Sequence, residues 1–151
     1  NILGRFILEM IKLIEAKKNL IDMKFIFKVR NNKDVRKFSI NKKKISKEEH
    51  EAWYFDSKKK TIFIVNYKNY KIGYIRAENK KKPFLSWAIL SKFRGKKFGV
   101  VLLKKFIKKM KFKSCFAQID QNNIPSILMV IKNNFKFKYK KKKFLIFELI
   151  K

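Results

Sequence analysis

Two glycines set four residues apart, Gly95 and Gly99, are half of the four glycines in this 151-residue chain. A mostly apolar run, Pro83 to Leu90, ends just before them and an aliphatic run begins just after, so they mark a strand-to-helix junction. Unpaired amides at a helix N-terminus carry partial positive charge and hold phosphate well. Glycine lets such a backbone turn tightly and lets an anion approach without a Cβ in the way. With Arg94, Lys96 and Lys97 alongside, the pair can cradle a pyrophosphate, although the same spacing also serves a purely structural turn. It is neither a P-loop nor a Gly-x-Gly-x-x-Gly fingerprint.

Five other positions carry residue types that do chemistry. His50 is the only histidine and can titrate near neutrality, so it is a candidate base, with a plain helix-face role as the alternative. Trp53, one turn on, offers a flat apolar face to a sugar or a base, or fills a core. Glu78 follows a strand and can act as a base through water, or remain a solvated loop carboxylate. Asn123 and Ser126 flank Pro125, where they can cap a helix, bind a ligand, or do both.

The elements that must position these groups follow from periodicity. Ile2, Leu3, Phe6, Ile7, Met10, Leu13 and Ile14 recur at helical spacing and predict one amphipathic helix over 2–20, with residues 1–22 an N-terminal extension or the tail of a preceding domain and the main domain over 23–151. Alternating Phe25, Phe27 and Val29 predict a strand over 24–30, and Met23 could serve as an independent start. Ser46 and Glu49 form a capping box that begins the helix carrying His50 and Trp53. Strands are expected at 61–66, 70–77, 83–90, 113–119, 135–139 and 144–150, with helices after Gly99 and from Pro125 to Asn133. The result is an α/β or α+β domain on a mixed sheet, without internal repeats.

A formal charge of +30 points first to nucleic acid or an anionic surface. Yet 36 of the 41 basic residues are lysine, spread over every segment, and only five are arginine. Nucleic-acid surfaces lean on the planar arginine fork and concentrate it. The charge therefore reads as compositional bias, and no specific nucleic-acid partner is expected. No apolar run reaches the ~20 residues of a membrane span, and Cys115 alone builds no disulfide framework. A cytoplasmic protein with no membrane partner and no metal site is the expectation.

The stretch from Phe93 to Leu103 resembles the acetyl-CoA motif of the GNAT acetyltransferases, Arg/Gln-x-x-Gly-x-Gly/Ala, with Lys97 in the place of one motif glycine. Asn123 to Ile127 and Lys132 to Phe135 resemble a second family block; Asn134 replaces its glycine, and Val130 stands where many members carry a tyrosine acid. Arg30 to Ser39 and Ile45 to Tyr54 resemble the opening of GNAT enzymes that acetylate 4-amino nucleotide sugars in pseudaminic-acid biosynthesis. This resemblance implies a GNAT fold: a mostly antiparallel mixed sheet flanked by helices, with an acetyl-CoA cleft between splayed strands.

It also implies direct acetyl transfer from acetyl-CoA, as co-substrate, to the 4-amino group of a UDP-linked amino-dideoxy sugar. Ile89, Leu90, Ser91, Arg94, Gly95, Lys96, Lys97, Phe98, Gly99, Val100, Asn123, Ser126 and Lys132 would hold acetyl-CoA. Arg30, Ser39, Asn41, His50 and Trp53 would face the sugar nucleotide, and Glu78, Ser126 and His50 are the catalytic candidates. A homodimer is left open. Two alternatives remain: a GNAT acting on a protein N-terminus or lysine, and a basic nucleic-acid-binding module without catalysis.

Overall fold

Neighbouring strands run antiparallel throughout the sheet except at one junction, and that exception shapes the molecule. The computed structural model of the chain describes residues 2–56, 58–95 and 97–151. Seven strands lie in the order β1 (Ile11–Glu15), β2 (Lys60–Tyr67), β3 (Tyr70–Glu78), β4 (Phe84–Ile89), β5 (Ser114–Asp120), β7 (Phe144–Ile150) and β6 (Lys136–Lys141). Only β4 and β5 are parallel, and they pair only at Phe84 with Phe116 and Leu85 with Ala117. Beyond those two rungs they separate, which leaves a wedge open between the C-terminal halves of both strands.

Each face of the sheet has its own core. Helices α5 (Phe98–Met110) and α6 (Ile124–Lys132) cover one face, where Phe106, Leu102 and Leu103 meet Phe63, Val65, Ile75, Ala117 and Leu149. Phe106 is fully buried, a contribution of about 2–3 kcal/mol. On the other face, α2 (Leu20–Asn31) and α4 (Lys47–Phe55), joined through the short α3 (Lys33–Arg36), bring Met23, Ile26, Val29 and Tyr54 onto Ile62, Ile64, Tyr74 and Ala88. Cys115 is buried in the first core, where desolvation pushes its thiol up to about 12 and leaves it inert at neutral pH.

Two expected elements are replaced. The single helix over 2–20 is instead α1 (Ile2–Met10) followed by β1, which pairs with β2 from Ile11–Tyr67 to Glu15–Phe63. In this stretch Ile11 is fully buried, Leu13 is half-buried and Lys12 and Ile14 are exposed, so a period of two overlays the helical one. The segment read as preceding the main domain thus supplies the sheet's first strand. The expected strand at 24–30 is the body of α2, capped by Asn19, whose side chain accepts from the Asp22 amide. The Phe/Lys alternation imitated a strand, whereas the buried residues Met23, Ile26 and Val29 recur every three positions along one helix face. Ser46 caps α4 as expected, accepting from the Glu49 amide at 3.1 Å. Among the described residues no helix is long and apolar enough to cross a membrane.

Candidate active site

The wedge between β4 and β5 is held open from one side. A Cβ at Gly73 of β3 would lie 2.1 Å from the Ala88 carbonyl oxygen, so only glycine lets β4 come this close to β3. Past the end of β4, the Leu90 amide donates to the Ile72 carbonyl at 2.8 Å, and Arg94 Nε donates to the Ile89 carbonyl at 2.8 Å. The last residues of β4 are therefore tied to β3 and to the following loop, turned away from β5.

That loop leads into α5 through a short 3-10 turn, Ser91–Phe93. Gly95 has φ of +75° and open space where a Cβ would point. Lys97, the N-cap of α5, sits in the left-handed region at φ 63° and gives the helix no side-chain cap. The first-turn amides, those of Phe98, Gly99 and Val100, therefore have no capping partner from this residue, and the partial positive charge of the helix end is available to an anion. Lys96 lies outside the described residues. Gly99 also has a packing use: a Cβ there would lie 2.5 Å from Met129 Sδ, so this glycine lets α5 and α6 pack closely. Asn133 Nδ2 fastens the same contact, donating to the Val100 and Met129 carbonyls at 3.1 and 2.8 Å.

On α6, Asn123 caps the helix by accepting from the Ser126 amide at 3.4 Å. The Ser126 hydroxyl accepts from Trp87 Nε1 at 3.2 Å, which leaves its own proton free to donate. Lys132 stands exposed in the last turn. Val130 is 0% exposed within the core and has no proton to give. Asn134 adopts φ 68°, the left-handed helix exit expected where the family block has glycine.

Strand alternation sends Ser86 and Ala88 to the opposite face of β4. There a cavity of about 220 Å³ is lined by Arg76, Glu78, Phe84, Ser86, Gln118 and Ile40. Glu78 Oε1 accepts from the Phe84 amide at 2.8 Å, and Oε2 lies 3.2 Å from Lys80 Nζ, so the carboxylate is fixed at the cavity wall. Ile40 comes from the loop between α3 and α4, which Arg36 clamps by donating to the Asn31 and Lys42 carbonyls. Its neighbours Ser39 and Asn41, expected to face a ligand, also steady this segment: Ser39 Oγ donates to the Val35 carbonyl of α3 and Asn41 Oδ1 accepts from the Lys43 amide.

His50 does not have the freedom a proton acceptor needs. It is 0% exposed, with Nε2 2.9 Å from the Met23 carbonyl and Nδ1 3.0 Å from Arg30 Nη1. The carbonyl accepts, so Nε2 carries the proton, and Nδ1 accepts from the guanidinium. Burial, ahead of every other influence, pushes its pKa below the usual value. His50 positions Arg30, and Arg30 lies over Trp53 with Cζ 3.8 Å from the ring centroid.

Two cations missing from the sequence reading join them at the same indole. Lys60 Nζ is 4.3 Å and Arg76 Cζ 5.4 Å from the Trp53 centroid. Lys60 donates to the Trp53 and Asp56 carbonyls, and burial pushes its ammonium down to about 8. Burial is also the chief influence lowering Arg30, and the charge of Arg76 adds to it. Arg76 Nε is buried without a partner, and among the described residues no carboxylate forms an ion pair with Arg30, Lys60 or Arg76. The signal that could have revealed Arg76 is scarcity: it is one of only five arginines in the chain.

A helix end without a side-chain cap stands beside a half-parallel β4–β5 wedge. Residues 13–136 match the Acetyltransferase (GNAT) domain. The chain belongs to the GNAT acetyltransferases. It is thus an N-acetyltransferase, which sets aside the reading as a module without catalysis. No curated protein matches the chain in sequence. Among solved structures, a domain from Methanocaldococcus jannaschii DSM 2661 is 26% identical with a TM-score of 0.77, covering 92% of this chain and 98% of that one. Campylobacter jejuni N-acetyltransferase PseH, in complex with acetyl coenzyme A, is 23% identical with a TM-score of 0.68 over 93% and 99%. Spermidine N-acetyltransferase from Vibrio cholerae, with CoA and spermine, shares 14% identity at a TM-score of 0.77 over 93% and 94%.

Proposed function

We propose that this acetyl-CoA-dependent N-acetyltransferase acetylates an amine on an anionic acceptor, namely the 4-amino group of a UDP-linked amino-dideoxy sugar. The observation that carries this reading is the cluster of Arg30, Lys60 and Arg76 around Trp53 beside the Glu78 cavity, three cations that form no ion pair among the described residues. Such clustered positive charge favours a diphosphate and repels a polyamine. The indole at their centre suits a sugar or base face. The likeness to PseH and the Arg30–Ser39 and Ile45–Tyr54 blocks support the same acceptor.

On the other face of β4, the first-turn amides of α5 would hold the pyrophosphate of acetyl-CoA, with Arg94, Lys96 and Lys97 adding charge. The open space at Gly95 and the missing cap at Lys97 fit that role. Leu90 and its neighbours at the end of β4 would align the thioester. The amine and the thioester then meet through the wedge, Glu78 taking the amine's proton through water and Ser126 donating a hydrogen bond to the departing sulfur. Positioning of this kind supplies much of the rate of such a transfer.

The test is thiol release from acetyl-CoA by the purified protein, at moderate salt, with a UDP-4-amino sugar, with spermidine and with peptides in parallel. Release with the sugar nucleotide alone is expected. Faster release with spermidine would overturn the acceptor assignment, and release with peptides only would move it to a protein N-terminus or lysine.

A further inference from the structure

A second cavity, of about 400 Å³, opens at the far end of α5 from the glycine loop. It is lined by Lys81, Lys82, Lys111, Phe112, Lys113 and Ser114, from the segment entering β4, the exit of α5 and the start of β5. α5 spans 13 residues, so roughly 20 Å of helix separates this cavity from the first-turn amides at Gly99. The two sites do not overlap.

Its chemistry is that of an anion site with an apolar floor. Among the described residues none of the four lysines forms an ion pair with a carboxylate. The Ser114 hydroxyl oxygen is buried without a hydrogen-bond partner, a polar group left for something absent from the chain. Lys111 is held at φ 54° as the C-cap of α5, which fixes where its side chain leaves the backbone. The carbonyl end of α5 opposes an anion, but with only about half a unit of negative charge against four full positive ones. Phe112, half-buried, gives a ring for a flat group to rest on. We infer that this cavity binds a nucleoside phosphate, the lysines holding the phosphates as point charges and Phe112 and Ser114 holding the nucleoside.

The experiment titrates adenosine diphosphate into the whole chain, isotope-labelled and saturated with acetyl-CoA so that the glycine loop is filled, in about 150 mM salt to screen diffuse attraction. Amide shifts confined to 81–82 and 111–114 are expected, with binding at least tenfold tighter than that of inorganic pyrophosphate. Lys111→Glu with Lys113→Glu should weaken binding tenfold or more, and Ser114→Ala about threefold. Lys24→Glu with Lys28→Glu, the same charge change on the exposed side of α2, should alter it less than twofold. Shifts spread over lysines everywhere, or equal loss in both charge-reversed pairs, would show only the pull of a +30 chain and overturn the site. Equal binding of pyrophosphate would overturn the nucleoside part.

Discussion

The two walls of the cleft are made of different material. On the α5 side the groups proposed to meet a ligand belong to the main chain and come from one contiguous run, from Ile89 through the open turn at Gly95 to the uncapped amides after Lys97. On the α2–α4 side they are side chains from four elements: Arg30 of α2, Trp53 of α4, Lys60 of β2 and Arg76 of β3. A surface of amides tolerates a change of side chain, as Lys97 shows by occupying a glycine position at φ 63°. A surface of side chains exists only after the sheet and helices have assembled, and one truncation can remove it.

The widest break in that comparison would come from Gly73→Ala, because this residue supports both walls. Its Cβ would meet the backbone of Ala88, which cannot rotate away, at a cost of about 3 kcal/mol and a Tm lower by roughly 10 °C. Affinity for acetyl-CoA and for the acceptor should fall together. An unchanged Tm would show that β3 and β4 can part without consequence. Arg76→Met should separate the walls instead, raising the acceptor KM roughly 10- to 100-fold, the worth of a charge-assisted contact, while the acetyl-CoA KM stays within about twofold. A parallel rise in both would erase the distinction.

Lys60 sharpens it through pH. Folded, its ammonium titrates at about 8 because of burial, while in the unfolded chain it titrates near 10.4. Between those values the unfolded chain binds more protons, so stability rises with pH across the window, and below about 8 the penalty of the buried charge is present in full. Lys60→Met should remove that part of the rise, read as the difference between the two proteins' denaturation midpoints at pH 7 and pH 10. A constant difference would place the penalty elsewhere. The smallest effect belongs to Lys97→Gly, which relieves a left-handed lysine and should add about 1 kcal/mol of stability, with an acetyl-CoA KM two- to threefold lower. A fall in stability would mean that the lysine side chain is an anchor in its own right.

The same contrast explains what could be read from the chain in advance. The turn from β4 into α5, the Ser46 cap, the Asn134 exit and the strands from β2 onward depend on residues close in sequence, and they were legible. The packing use of Gly99 was not legible, since its partner Met129 lies thirty residues away. The Arg30–His50–Trp53–Arg76 assembly was visible only in pieces, because no local pattern says that α2, α4 and β3 converge. His50 misled for that reason: a lone histidine reads as a base until Met23 and Arg30 are seen on its two nitrogens. The first element failed because Ile11 and Leu13 fit a helix and a strand equally well, and pairing with β2 decides between them; the second failed because alternating Phe25, Phe27 and Val29 imitated a strand inside α2.

The place of β1 at the margin of the sheet bears on where synthesis of this domain could begin. A chain initiated at Met23 would keep the wedge, Arg30, Arg76 and the glycine loop, yet lose Ile11 from the core and the partner strand of β2. The uncovered border, running Thr-Ile-Phe-Ile-Val from Thr61 to Val65, would be apolar, β-branched and free of charge. Such a border templates the addition of further strands. The shorter product would therefore keep the groups proposed for catalysis while baring an edge open to further strands, an edge that residues 11–15 cover in the full chain.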